Sequence, residues 1–73
     1  MTVANAVKKF AKGSYKVVTS AENTGLDVAV FSFVEDAEWA GEYIETVFGE
    51  SFHVVETEEP ANTTYGKWVA EGR

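Results

Sequence analysis

Cysteine is absent from the 73-residue sequence, so neither a disulfide nor a thiolate zinc site can staple the fold. The single histidine, His53, also excludes the mixed Cys/His frameworks that hold many small domains together. Stability has to come from packing, alone or shared with a partner subunit. The glycines stand singly at positions 13, 25, 41, 49, 66 and 72, which excludes a Gly-rich loop of the kind that cradles phosphate. No apolar run approaches the roughly 18 residues that cross a bilayer. The apolar start Val3, Ala4, Ala6 and Val7 runs into lysines rather than a cleavage site, so a cytoplasmic protein is expected. Basic residues are scarce, 6 against 12 acidic ones, and the formal net charge of −6 argues against direct binding to nucleic acid or to an anionic membrane.

What remains is sufficient to fold. Hydrophobic residues make up 45% and aromatics 14% of the chain, well above the composition of a disordered acidic segment. The length sets one domain over 1–73. Thr2 is placed to cap a helix in which Val3, Ala6, Val7 and Phe10 share one stripe, with Asn5, Lys8, Lys9 and Lys12 opposite and Gly13 as the stop. Tyr15–Glu22 and Leu26–Val34 are rich in β-branched and aromatic residues. Asn23-Thr24-Gly25 between them supplies a glycine for a left-handed turn, so the pair reads as a hairpin. Asp36 is placed to cap a second helix whose inner face is Ala40, Tyr43, Ile44, Val47 and Phe48, and Gly49 ends it. A second hairpin is expected over Ser51–Glu58 and Tyr65–Ala70, turning at Glu59-Pro60-Ala61-Asn62.

The expected order is therefore α-β-β-α-β-β. Its simplest assembly is an α+β fold with a four-stranded antiparallel sheet and two helices on one face. The order also suggests an αββ unit used twice, over about 1–35 and 36–73. Ser14-Tyr15-Lys16-Val17-Val18 aligns with Ser51-Phe52-His53-Val54-Val55, and Phe31 then falls on Trp68. Common patterning without common descent is the alternative. Turning Tyr15, Val17, Phe31, Phe33, Phe52, Val54 and Trp68 toward the helices sends Val18, Val28, Val30, Val55 and Val69 to the other face. So apolar an open face suggests a homodimer, unless Lys16, Ser20, His53 and Thr57 interrupt it.

Catalytic chemistry finds little to work with. His53 is the one side chain that titrates near neutrality unperturbed, yet no nucleophile spacing accompanies it, and its aligned counterpart is Lys16. Glu56 and Glu58 lie at odd separations from His53 on a strand and so face away from it, which tells against a metal site. Neither an enzyme nor a cofactor is expected. Asn62-Thr63-Thr64 matches a glycosylation acceptor but reads as a polar turn. The lysines of the first helix read as a solvated face or a dock for an acidic surface.

Charge is unevenly placed. Residues 1–34 carry Lys8, Lys9, Lys12 and Lys16 against Glu22 and Asp27, a balance of +2, whereas 35–73 balance at −8. Glu35, Glu38, Glu42 and Glu45 fall on the outer side of the second helix and Trp39 at its margin, with Glu56 and Glu58 adding to the field. Solubility alone is one use of such an acidic surface, but this grouping also suits a basic protein surface. The expectation is a small acidic, inhibitor-like protein-binding domain, acting by electrostatic engagement of a basic partner through Glu35, Glu38, Trp39, Glu42, Glu45, Glu56 and Glu58. That partner could itself be a nucleic-acid-binding protein, with the acidic face imitating nucleic acid. Four glutamates over about 15 Å of helix are a sparse imitation of one charge per ~1.7 Å of duplex. Virus-encoded antagonists share this short, acidic, cysteine-free economy, an analogy of size and charge that no motif turns into a family. The alternative function is a structural module that dimerises through Val18, Val28, Val30, Val55 and Val69.

Overall fold

Tyr15-Lys16-Val17-Val18-Thr19 and Phe52-His53-Val54-Val55 concentrate the β-branched and aromatic side chains that suit a pleated, half-buried surface. Both become strands. The computed structural model describes residues 13–71, which run as β1 (Ser14–Thr19), α1 (Val34–Phe48), β2 (Phe52–Thr57) and α2 (Tyr65–Ala70). The helix expected over Val3–Phe10, with its lysine face, lies outside the described residues. β1 and β2 pair antiparallel, with Val17 opposite Val54 and Tyr15 opposite Glu56. Directly paired residues share a face, so Tyr15, Val17, Phe52 and Val54 point one way and Lys16, Val18, His53 and Val55 the other.

α1 packs across both strands, and α2 packs against α1. The buried side of α1 is Ala37, Ala40, Gly41 and Ile44, and the small size of Ala37, Ala40 and Gly41 lets the helix approach the sheet closely. A Cβ built on Gly41 would overlap the Phe52 ring, so the close approach requires glycine there. Val17, Leu26, Ala29, Phe31, Ala37, Ala40, Ile44 and Trp68 make the core, with Tyr15, Tyr43, Phe52, Val54, Tyr65 and Val69 packed around it.

The sheet has two strands, not four, and each missing strand has its own cause. In the segment expected as Leu26–Val34, Phe31 alone bridges to β1. It exchanges both backbone hydrogen bonds with Tyr15 at 2.8 Å, while Val34 already belongs to α1. The neighbouring Val30 is held by Asn62 instead of by a strand. The Asn62 side chain accepts from the Val30 N–H at 2.9 Å and donates to the Val28 carbonyl at 2.8 Å. Its own N–H donates to the Val30 carbonyl at 2.9 Å. One amide residue thus satisfies the backbone groups that a ladder would have satisfied.

Tyr65–Ala70, expected as the fourth strand, is helical. Thr64 caps it, its Oγ accepting from the Lys67 N–H at 3.1 Å. Tyr65, Trp68 and Val69 have the i, i+3, i+4 spacing of a helical stripe, and as a helix they turn Trp68 into the core. The Trp68 indole N–H then reaches the Thr24 carbonyl at 2.8 Å. Two further consequences follow. The second half is not an αββ unit, since it runs α1-β2-α2, and Phe31 sits in a bridge while Trp68, its aligned counterpart, sits in a helix. Phe33, expected to face the helices, is exposed at the start of α1.

The boundaries of α1 differ at one end. Phe33, not Asp36, occupies the N-cap, and no side chain caps the helix. Glu35 and Asp36 fall in the first turn, where carboxylates meet the positive end of the helix. Gly49 closes the helix at φ 72°, with its N–H on the Glu45 carbonyl at 3.0 Å. Val47 and Phe48, expected on the inner face, are exposed, because α1 extends past the core at its C-terminal end.

Candidate functional site

With Ala37, Ala40, Gly41 and Ile44 against the sheet, the helical period sends Glu35, Glu38, Glu42 and Glu45 outward, and all are exposed. Neither lysine nor arginine occurs anywhere in Val34–Phe48. Lys16 pairs with Glu59 at 3.6 Å, on the strand side of the molecule. The four outward glutamates of α1 have no such partner among the described residues.

Next to them the two helices meet through aromatic rings. Trp39 and Tyr65 pack edge to face with centroids 5.8 Å apart. Tyr65 leans on Trp68 at 6.1 Å, and Tyr43 meets Trp68 edge to face at 5.4 Å. Trp68 is 2% exposed and Trp39 51%, so the run of rings leads from the core to solvent. Along it opens a mostly apolar groove lined by Trp39, Glu42, Tyr43, Thr46, Val47 and Tyr65.

The structure therefore gathers Glu35, Glu38, Trp39, Glu42 and Glu45 on α1. It does not bring Glu56 and Glu58 to them: Glu56 is on β2 opposite Tyr15, and Glu58 follows the strand's end, whereas the acidic side of α1 faces away from the sheet. Tyr43 and Tyr65 belong to the groove and were not expected there. Tyr65 was misplaced because its segment read as a strand, although its spacing to Trp68 and Val69 carried the helical signal. The valines expected to form a self-association face are dispersed. Val18 and Val55 share the outer side of the sheet, Val28 projects from a turn, Val69 is half-buried on α2, and Val30 is buried at 1% exposure.

A second concavity lies between the outer side of the sheet and residues 21–27. Several of its polar groups are already committed. Lys16 pairs with Glu59, the Thr24 hydroxyl accepts from the Leu26 N–H, and the Thr24 carbonyl accepts from Trp68. His53 is exposed, on the opposite face of β2 from Glu56. Among the described residues no group of three or more His, Cys, Asp or Glu is placed to hold a metal ion. No described helix is long and apolar enough to cross a membrane.

No family model matches this chain. Neither a curated protein nor a solved structure shows significant similarity to it. The geometry of α1 and its groove is therefore what a functional reading rests on.

Proposed function

We propose that this chain is a small acidic interaction protein of inhibitor type, which engages a basic surface of a partner protein through the outward side of α1 and performs no catalytic step. The observation that carries the reading is the one-sided charge of α1. A helix that only needed to be soluble would mix signs, because Glu–Lys pairs three or four residues apart stabilise it and like charges at those spacings do not. α1 instead sets Glu38 and Glu42 four apart and Glu42 and Glu45 three apart, with no cation along its length. Glu45 also stands in the last turn, where the helix dipole favours a cation. Each choice weakens the isolated helix and strengthens its field toward solvent. Trp39, half-exposed beside the glutamates, supplies an apolar anchor of the kind that dominates protein interfaces.

A basic groove that ordinarily receives nucleic acid fits this surface, and its blockade would be the biological outcome. The charge is sparser than that of duplex DNA, so the imitation is of sign rather than of spacing. The proposal sets the protein in the cytoplasm, in keeping with its cysteine-free sequence.

The test is capture of partners from the native host by the wild-type chain and by a Glu38→Lys/Glu42→Lys variant, followed by affinity measurement over a salt series. A basic protein held by the wild type, released by salt, lost from the variant and displaced by duplex DNA is the expected result. Equal affinity of wild type and variant for that protein overturns the reading.

A further inference from the structure

Packing accounts for most of the aromatic run between α1 and α2. Trp68 fills the core, and Tyr43 and Tyr65 pack around it. Trp39 is different, because half of a side chain as large as that of Trp68 stays in water. It does so at the mouth of an apolar groove whose remaining wall is Tyr43, Tyr65, Val47, Thr46 and Glu42. Glu42 lies one helical turn from Trp39, and Glu38 and Glu35 extend the same negative field along α1.

Rim and wall together select the occupant. An aliphatic side chain would fit the rings but would strip water from Glu42 without giving it a partner. A cation provides that partner. Of the two side-chain cations, the ammonium of lysine is compact and strongly hydrated, whereas the guanidinium of arginine is flat, weakly hydrated and stacks on aromatic faces while bonding a carboxylate through two N–H groups. We infer that the groove is the seat of an arginine side chain from the basic partner, its guanidinium over Trp39 and paired with Glu42, its methylenes against Tyr43 and Val47. The inference rests on the reading of α1 as the partner-binding face and adds a preference that an acidic surface alone would not have.

The test uses the full 73-residue chain, isotopically labelled, and two short unstructured peptides of equal charge that carry arginine or lysine at the same positions. The indole N–H resonances of Trp39 and Trp68 report the groove and the core separately. The arginine peptide is expected to shift the Trp39 indole and the backbone signals of Tyr43 and Val47 to saturation, and to bind roughly two- to five-fold more tightly than the lysine peptide. Trp39→Ala removes that preference and leaves the salt-sensitive binding common to both peptides, with the Trp68 resonance in place as the sign of a folded core. Glu42→Gln lowers the arginine affinity more than the lysine affinity without changing side-chain volume. Equal affinities with an unmoved Trp39 signal overturn the arginine seat and leave the acidic face standing. Failure of both peptides to bind at low salt overturns both.

Discussion

Val28 and Val30 stand two residues apart and read alike in the sequence, yet one is 67% exposed and the other 1%. The difference makes them a matched pair of probes. Val28→Lys places a charge in water and is expected to change stability by no more than about 0.5 kcal/mol. Val30→Lys buries an uncompensated charge, a loss of roughly 3–5 kcal/mol, comparable with the whole stability of a small domain. Urea titrations followed by circular dichroism separate the two outcomes. Gly41 is a second position where the neighbour, not the residue, sets the requirement. Alanine there gains roughly 1 kcal/mol of helix propensity but drives its methyl into the Phe52 ring, and overpacking costs about 1–3 kcal/mol. Gly41→Ala is expected to lower the denaturation midpoint, and Gly41→Ala combined with Phe52→Leu to recover part of the loss.

Among the elements, α1 was legible because an apolar stripe through Ala40 and Ile44, outward glutamates and a terminal glycine agree with one another, although the stripe was drawn too far toward Val47 and Phe48 and missed Ala37 and Gly41. Its N-terminus was read late, since the polar Asp36 looked like a cap while the helix begins after Phe33 without one. The helix carries a testable conflict. Glu38→Gln with Glu42→Gln relieves like-charge repulsion and should stabilise the domain by roughly 0.5–1 kcal/mol, while weakening attachment to the basic partner. A thermal melt and a binding isotherm on the same sample give both signs, and a variant that is more stable and binds unchanged counts against a functional α1. The second sheet half was not legible. Strand propensity in 26–34 is real, but Asn62 offers the backbone of Val28 and Val30 a different set of partners. Asn62→Asp keeps the acceptor and loses the donor to Val28, setting two oxygens against each other. A loss of about 1–2 kcal/mol is expected from chemical denaturation.

Over the whole molecule, the −8 balance of residues 35–73 outweighs the +2 of residues 1–34. Salt then acts in opposite directions on folding and on association. Screening, with a Debye length of about 10 Å at 0.1 M and less above it, relieves repulsion along α1 and should raise the melting temperature slightly. The same screening should slow capture of a basic partner, because steering by rim charges acts chiefly on the association rate. A melting series and a stopped-flow series over one salt range test the pair. A salt-independent association rate removes the electrostatic reading.

Composition and periodicity by themselves determined that the chain must rely on packing, that it mixes helix and strand, and that acidic charge gathers on the outer side of the 36–48 segment. These are local properties, written in side-chain type and spacing. The tertiary structure alone decided that the sheet stops at two strands, that Tyr65–Ala70 coils, that Val30 is interior and that Trp39 opens a groove with Tyr65. The physical reason is the same in each case. A short segment with mixed propensity takes whichever conformation satisfies its backbone and its largest side chain, and here the deciding partners, Asn62 for Val30 and Thr24 for Trp68, lie more than thirty residues away.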